Sequence, residues 1–155
     1  MTAMDQPIPD FSLPATGGRN FQLAAEPGWT LLYFYPKDST PGCTTEAGQF
    51  RDLHAGFIEA GCSVYGISRD SLKSHENFKA KLGLPFELLS DADEAACRLF
   101  GVIKMKKMYG KEVRGIERST FLLDGDGVLR QEWRGVKSDG HAAEALCLVK
   151  SLTGK

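Results

Sequence analysis

One β-rich apolar run, Thr30 to Tyr35, constrains the fold more than any other stretch of the chain. A run of this kind is typical of a central strand that is covered on both faces of its sheet. It stops at Pro36, and a polar loop over Lys37–Pro41 leads to a predicted helix from about Gly42 to Ala60. A second buried strand, Ser63 to Ser68, follows. The segment therefore predicts a β-α-β unit with a helix crossing between two central strands.

The rest of the chain continues this alternation and then changes to an antiparallel pattern. Asp124–Gly127 is a strong hairpin turn between two apolar runs. The further predicted elements are a hairpin of Phe11–Leu13 with Phe21–Leu23, a helix from a Ser71 cap to Gly83, a strand over Phe86–Leu89, a helix from an Asp91 cap to Phe100, strands over Ser119–Leu123 and Val128–Arg134, and a helix over His141–Leu152. A β-α-β unit followed by β-β-α predicts a thioredoxin-like α/β fold. Its mixed central sheet carries helices on both faces and an N-terminal β-hairpin, and without a linker or repeat we expect one domain over residues 1–155.

Composition excludes several classes of function. The formal net charge is -1, and a nucleic-acid-binding protein would show a basic excess. The N-terminal segment has no basic region followed by a long apolar run, and the longest apolar run is too short to span a bilayer. Four cysteines are widely separated with no CxxC pair, which is typical of free, catalytic or buried thiols in a reducing compartment. We therefore expect a cytoplasmic protein that binds neither nucleic acid nor membranes.

The segment after the first central strand is where the chemistry is expected. Open α/β sheets place their sites at the carboxyl ends of their strands, and Cys43 would lie there in the first turn of a helix. Unpaired backbone N–H groups and the helix dipole favour an anion at that position. Because the thiolate is the reactive form of cysteine, the location predicts that Cys43 is a nucleophile.

A thiolate alone does not make peroxide cleavage fast. Donors must face the peroxide oxygens while the O–O bond lengthens and charge builds on the leaving oxygen. Thr40, three residues before Cys43, can offer a hydroxyl group. Arg118 precedes a buried strand and can offer a forked, permanently charged donor set. We expect these two side chains to complete the site.

Pro36, Thr40 and Cys43 reproduce a PxxxTxxC motif that resembles the signature of the peroxiredoxins, and Arg118 matches that family's distant arginine. Further blocks resemble the bacterioferritin comigratory protein (peroxiredoxin Q) subfamily, and the likeness runs from about Pro7 to Leu152. These blocks are YFYPK, TPGCT, GIS, LSD and GIERSTF.

The resemblance implies an antioxidant enzyme that uses no metal or organic cofactor and reduces hydrogen peroxide and organic hydroperoxides. By the same resemblance Cys43 is the peroxidatic cysteine, Thr40 and Arg118 bind and polarise peroxide, and Pro36 shields the pocket. Many members are monomers, and we expect a monomer here.

The chain departs from the subfamily at the resolving cysteine, which condenses with the oxidised nucleophile. The two positions that carry it in relatives align with Gly48 and Lys79. Among the other cysteines, we expect Cys62 to be buried and inert, Cys97 to be partly exposed and a candidate resolving residue, and Cys147 to be exposed. We favour a one-cysteine mechanism in which glutathione, a glutaredoxin or thioredoxin attacks the sulfenate directly. The sequence does not choose among these three reductants.

Other polar residues have simpler explanations. We interpret His54, His75 and His141 as surface or cap residues with no zinc-ligand spacing. Glu46 could touch the active site, but acids are also favoured early in a helix, and we prefer that simpler explanation. The basic run Lys104–Lys107 is interpreted as a solvated loop.

Two alternative functions remain for a chain with this fold and a reactive cysteine. A thiol–disulfide oxidoreductase would require CxxC, and a non-enzymatic redox sensor would oxidise once instead of turning over.

Overall fold

The structure is a computed structural model that describes residues 3–154. Met1, Thr2 and Lys155, which the domain prediction includes, lie outside the described residues. The strands are β1 (Ser12–Ala15), β2 (Arg19–Gln22), β3 (Trp29–Phe34), β4 (Cys62–Ser68), β5 (Leu88–Ser90), β6 (Ile103–Met108), β7 (Lys111–Ile116), β8 (Ser119–Leu123) and β9 (Leu129–Arg134). The helices are α1 (Pro41–Glu59), α2 (Leu72–Leu82), α3 (Ala95–Phe100) and α4 (His141–Thr153), and a short 3-10 helix covers Leu23–Ala25.

A seven-stranded mixed sheet with strand order β2-β1-β5-β4-β3-β8-β9 forms the centre of the structure. β3 pairs in parallel with β4, and β4 in parallel with β5, as expected for the predicted β-α-β unit. β8 runs antiparallel to β3, with Phe34 opposite Ser119. The predicted thioredoxin-like α/β fold with a mixed sheet is confirmed.

The two faces of the sheet bury separate apolar clusters, because successive side chains of a strand point to opposite faces. Leu31, Tyr33 and Tyr35 of the β3 segment pack in the cluster that includes residues of α1, α2 and α4. Leu32 and Phe34 pack on the other face with residues of β1 and α3. α1 and its Cys43 therefore lie on one face of the sheet and α3 lies on the other.

Two local features differ from the sequence predictions. The basic run Lys104–Lys107 is not a loop but part of β6, which forms a two-stranded ribbon with β7. Its tight turn, Tyr109-Gly110, has positive φ at both residues, and the prediction failed because tyrosine is an uncommon residue there. Asp91 does not begin α3, which starts at Ala95. Its carboxylate nevertheless accepts hydrogen bonds from the backbone N–H groups of Ala96 and Cys97, so it satisfies the first turn from outside the helix.

Among the described residues, no helix combines the length and apolar character needed to cross a membrane.

Candidate active site

The site lies where β3 ends and α1 begins. Pro36 follows the strand and is half-buried, and a turn over residues 37–40 leads into the helix. Thr40 is the N-cap residue, Pro41 is the first helical residue, and Cys43 is the third. Proline suits this position because its missing N–H is one that the first turn leaves unpaired. The sequence prediction that Cys43 occupies the first turn of a helix at the carboxyl end of a buried strand is confirmed.

Cys43 is almost fully buried, with 1% of its surface exposed. Its Sγ accepts a hydrogen bond from Nη2 of Arg118 at 3.4 Å. Because Ser119 pairs with Phe34 across the β3–β8 register, the residue before β8 lies beside the end of β3. The antiparallel pairing thus brings together two residues that are far apart in sequence, as the sequence analysis expected.

Arg118 is fixed by a second contact, with Glu46 of α1. Its Nη1 donates to Oε1 of Glu46 at 2.6 Å, and the Glu46 side chain is fully buried. The structure therefore confirms the alternative that Glu46 touches the active site, and the simpler explanation as an ordinary acid of the helix start is wrong. The signal was present in the sequence, because residues three apart share a face of a helix and Cys43 and Glu46 are so spaced.

The charges of this cluster depend strongly on one another. Burial raises the pKa of Glu46 to about 7, even though the charge and hydrogen bond of Arg118 lower it. Burial lowers the pKa of Arg118, but the charges of Glu46 and Cys43 raise it more, so it lies above its usual value. The guanidinium is therefore a permanent cation held between a carboxyl group and a thiol.

Arg118 approaches closely to Gly42 in the first turn of α1. A Cβ atom built on Gly42 would lie 3.1 Å from Nη2 of Arg118 and 3.5 Å from Oγ of Ser138. A methyl group there would require the guanidinium to shift by a few tenths of an ångström.

Thr40 lies in the same first turn, and its Oγ1 donates to the carbonyl oxygen of Lys37 at 2.8 Å. Its carbonyl oxygen accepts from the N–H of Thr44 at 2.9 Å. These contacts close the turn that leads into α1 and hold the hydroxyl beside it. Pro36 borders the same turn.

The other three cysteines lie elsewhere. Cys62 is buried, pairs with Trp29 at the opposite end of β3, and has its pKa raised to about 12 by burial. Its prediction as a buried residue is confirmed. Cys97 is fully buried in the cluster on the other face of the sheet, so the prediction of partial exposure is wrong. The reason is that α3 is only one and a half turns long and packs Cys97 inward beside Ala96 and Phe100.

Cys147 is exposed on α4, as predicted. α4 packs along α1, with Leu146 against Gly56, and Ser138, in the loop that precedes α4, lies beside Gly42. At a rise of about 1.5 Å per residue, Gly56 lies roughly 20 Å along the helix axis from Cys43. Cys147 therefore lies at the level of the far end of α1.

Two histidines are not surface residues. His75 is fully buried on α2, with Nδ1 2.6 Å from Oδ2 of Asp38 and Nε2 2.9 Å from the carbonyl oxygen of Leu89. His141 is 4% exposed, and its Nε2 lies 2.8 Å from Oγ1 of Thr120. Burial lowers the pKa of His141. This burial was not predictable from local pattern, because both residues are polar positions at the start of amphipathic helices, and the docking of each helix decides which side is covered. Only His54 matches its prediction in part, since it is half-buried.

The side chains of Asp38, Asp70 and His75 have potential metal-ligand atoms within 4.8 Å of one another. Oδ2 of Asp70 already accepts from Oγ of Ser68 at 2.6 Å and from the N–H of Asp38 at 2.9 Å. The hydrogen bonds within this cluster account for its geometry.

A buried cysteine in the first turn of a helix, facing a fixed guanidinium on a thioredoxin-like sheet, defines the class of thiol-dependent peroxidases. Comparison with known proteins identifies the family within this class. The AhpC/TSA family matches residues 4–132. The chain is 54% identical over 151 residues to peroxiredoxin Bcp of Xanthomonas campestris pv. campestris, covering 96% of this chain and 94% of that protein. It is 48% identical to peroxiredoxin Bcp of Bacillus subtilis, covering 97% and 96% of the two chains.

Solved structures give the same result. A structure of Xanthomonas campestris peroxiredoxin Q superposes with a TM-score of 0.88 at 54% identity, covering 92% of this chain and 91% of that one. A cysteine-to-serine variant of Xylella fastidiosa PrxQ superposes with a TM-score of 0.93 at 41% identity, covering 98% of each chain. The chain belongs to the AhpC/TSA family and, within it, to the Bcp or Q-type peroxiredoxins. It is a thiol-dependent peroxidase, as the sequence predicted.

Proposed function

We propose that this peroxidase uses one cysteine, Cys43, and that an external thiol restores it. The Cys43 thiolate attacks one peroxide oxygen, and the O–O bond breaks. That oxygen stays on sulfur as a sulfenic acid, while the other leaves and takes up a proton to become water or an alcohol. An external thiol then attacks the sulfenic sulfur, releasing water and forming a mixed disulfide. A second thiol reduces this disulfide and frees Cys43.

The placement of the other cysteines carries this proposal. Cys62 lies at the opposite end of β3, Cys97 is buried on the opposite face of the sheet, and Cys147 is level with the far end of α1. A disulfide requires Cα atoms within about 7 Å, so each pairing with Cys43 would need a large rearrangement. An external thiol needs only that the first turn of α1 open enough to expose the sulfur.

The positions that carry a second cysteine in relatives support the same mechanism. Two solved structures of Xanthomonas campestris peroxiredoxin Q carry serine in place of two different cysteines, which lie 36 residues apart in that protein. The residue 36 positions after Cys43 in this chain is Lys79, whose Nζ donates to Oε1 of Glu87 at 2.5 Å. Gly48 occupies the other position expected for a resolving residue.

We assign transition-state roles to three further residues. Arg118 stabilises the charge on the leaving oxygen, because its guanidinium already faces Sγ of Cys43 at 3.4 Å. Thr40 turns its hydroxyl to the bound peroxide, exchanging the contact with the Lys37 carbonyl. Pro36 covers the site from the β3 side and limits the entry of water.

The range of substrates and partners is proposed by analogy and composition. A structural study of Xanthomonas campestris bacterioferritin comigratory protein concerns its alkyl peroxide reduction activity, which supports organic hydroperoxides as substrates beside hydrogen peroxide. Glutathione, a glutaredoxin or thioredoxin serves as reductant. Four free cysteines suit a single-domain monomer in a reducing cytoplasm.

Intact mass after one equivalent of hydrogen peroxide, without reductant, tests the mechanism. The expected result is gain of one oxygen, which is absent in Cys43→Ser, followed by addition of one glutathione when that thiol is supplied. Loss of two hydrogens would mean an internal disulfide and would contradict the one-cysteine mechanism. Cys62→Ser, Cys97→Ser and Cys147→Ser would then identify the partner.

A further inference from the structure

A buried polar cluster lies beside the active-site turn, outside the set of residues that contacts Cys43. Asp38 belongs to the turn between β3 and α1, five residues before Cys43, and is 6% exposed. His75 lies on α2 and is fully buried. Their contact at 2.6 Å joins the active-site turn to a helix that supplies no residue to the peroxidase site described above.

Asp38 has every side-chain oxygen engaged. Oδ1 accepts from the hydroxyl of Tyr35 at 2.5 Å, and Oδ2 accepts from Oγ of Ser74 at 2.8 Å besides facing His75. Burial raises the pKa of Asp38, but the hydrogen bonds from His75, Tyr35 and Ser74 lower it more, so it lies below its usual value. Asp38 is therefore a buried carboxylate.

The ring of His75 faces acceptors on both sides. Nδ1 faces the Asp38 carboxylate, and Nε2 faces the carbonyl oxygen of Leu89 on β5 at 2.9 Å. Neither oxygen can donate, so only a ring that carries both protons satisfies both contacts. The third neighbour, the Tyr35 hydroxyl at 3.4 Å from Nδ1, already donates to Asp38. A further charge close to His75 is the Asp70 carboxylate, which has an oxygen within 4.8 Å of the ring and accepts from the backbone N–H of Asp38. The geometry is that of a buried imidazolium–carboxylate pair.

The turn that this pair holds is strained. Ser39 has a φ of 64°, a conformation that costs a non-glycine residue on the order of 1 kcal/mol and persists only where neighbouring contacts enforce it. Ser39 is exposed, so the enforcing contacts belong to the residues on either side. On one side Asp38 is tied to α2 and to Asp70, and on the other Thr40 is tied to Lys37.

We propose that Asp38 and His75 are positioning residues for the peroxidase reaction, whose buried ion pair holds the 37–40 turn in the conformation that places Thr40 and the first turn of α1. Removal of the His75 ring takes away the contact that ties Asp38 to α2. The turn then loses its anchor and relaxes from the strained conformation at Ser39. The positioning role rests on the proposed role of Thr40, and the experiments below separate the two.

The protonation state of His75 can be measured without reference to activity. In ¹⁵N NMR of the reduced wild-type protein at pH 7, both ring nitrogens of His75 are expected at shifts typical of a protonated imidazolium. His75→Asn assigns the signals. EDTA is expected to leave the spectrum unchanged. A neutral ring at pH 7, or a change on adding EDTA, would overturn the ion pair.

The functional test is the rate constant of Cys43 oxidation by hydrogen peroxide, followed by stopped flow at pH 7. His75→Asn should lower this rate constant roughly tenfold, since a misplacement of the order of 1 Å can cost up to about a hundredfold. His54→Asn, which replaces a half-buried histidine of α1 outside the cluster, is the matched control and should keep the wild-type rate constant.

Two further variants distinguish positioning from mere stability and from the role of Thr40. Asp38→Asn combined with His75→Asn should be no slower than the slower single variant, because the second change removes a contact already lost. Thr40→Val should lower the rate constant, and adding His75→Asn to it should cost little more, because His75 acts through the turn that places Thr40. If His75→Asn shifts only the unfolding temperature, or lowers the rate constant by the same factor with and without Thr40→Val, the positioning role is wrong. A wild-type rate in Thr40→Val would instead refute the role of Thr40 alone.

Discussion

Two cysteines occupy the same place in two different helices of this protein. Cys43 is the third residue of α1 and Cys97 is the third residue of α3. Both are buried, with 1% and 0% of their surface exposed. The positive end of a helix dipole faces each of them, so the dipole alone would make both thiols nucleophilic.

The difference lies in the charge that each cysteine meets. Sγ of Cys43 accepts from the guanidinium of Arg118, whereas the backbone N–H of Cys97 donates to the carboxylate of Asp91 at 2.7 Å. Burial, and then the hydrogen bond and charge of Asp91, raise the pKa of the Cys97 thiol well above its usual value. The comparison teaches that a helix start becomes a thiol active site through the side chain that faces it, not through the backbone alone.

Replacing each cysteine by serine is the strongest test of this contrast. Cys43→Ser should abolish peroxide consumption, because serine cannot provide a thiolate nucleophile at neutral pH. Cys97→Ser should keep the wild-type rate within about twofold and cost on the order of 1 kcal/mol of stability from a less apolar core contact. Peroxide consumption with excess thiol and urea unfolding measure the two effects. Equal losses of activity in both variants would contradict the conclusion that only Cys43 acts as the nucleophile.

Arg118→Met removes the guanidinium while keeping an unbranched apolar side chain in its place. We expect the rate constant of Cys43 oxidation to fall by about 10²–10³, the typical loss when one transition-state donor is removed. The rate of alkylation of Cys43 by iodoacetamide at pH 7 should fall as well, which makes Cys43 resemble Cys97. Circular dichroism should show an unchanged fold. Arg134→Met, which removes a guanidinium bonded to the carbonyl oxygens of Phe100 and Gly101, is the control and should retain activity.

The sequence could predict those parts of the site that depend on local structure or strand register, but not those that depend on how helices dock. Cys43 and Thr40 belong to one turn, and Arg118 precedes a strand whose register against β3 fixes its position, so local pattern and motif identify all three. The contact of Glu46 with Arg118 was within reach of helix periodicity. The Asp38–His75 pair was not, since it depends on how α2 docks beside the end of β3.

The fold shows the same limit. Long apolar runs predicted the central strands within one or two residues, because burial on both faces of the sheet fixes their composition. The β6–β7 ribbon was missed because its exposed, basic strands carry no such pattern and its turn is Tyr109-Gly110. Similarly, the burial of Cys97 follows from the tertiary position of α3 and not from its own sequence.

The two cysteines also differ in the residue that precedes them, which is Gly42 before Cys43 and Ala96 before Cys97. Gly42→Ala would place a Cβ atom 3.1 Å from Nη2 of Arg118, so the guanidinium must shift by a few tenths of an ångström. We expect the rate constant of Cys43 oxidation to fall several-fold, up to about tenfold. Stability should be unchanged or slightly higher, because alanine is the better helix former by about 1 kcal/mol. Unchanged oxidation kinetics would show that the approach of Arg118 does not need glycine.

Glu46→Gln tests whether the acid on the Cys43 side differs in kind from Asp91 on the Cys97 side. Glu46 is paired with Arg118, and its pKa is raised to about 7, so the folded protein holds a proton there that the unfolded chain releases near the usual value of 4.5. The resulting stability is complete below that usual value and is lost as the pH rises through about 7. The free energy of unfolding of the wild type should therefore fall by up to about 3 kcal/mol through this group between pH 4.5 and 8, a decline that Glu46→Gln lacks.

Activity of Glu46→Gln at neutral pH should change only a few-fold, because glutamine can still accept from Arg118 through its amide oxygen. Urea unfolding at several pH values measures the slope. If the two proteins show parallel slopes, Glu46 titrates as an ordinary carboxylate, and the buried acid beside Arg118 contributes only its shape to the site.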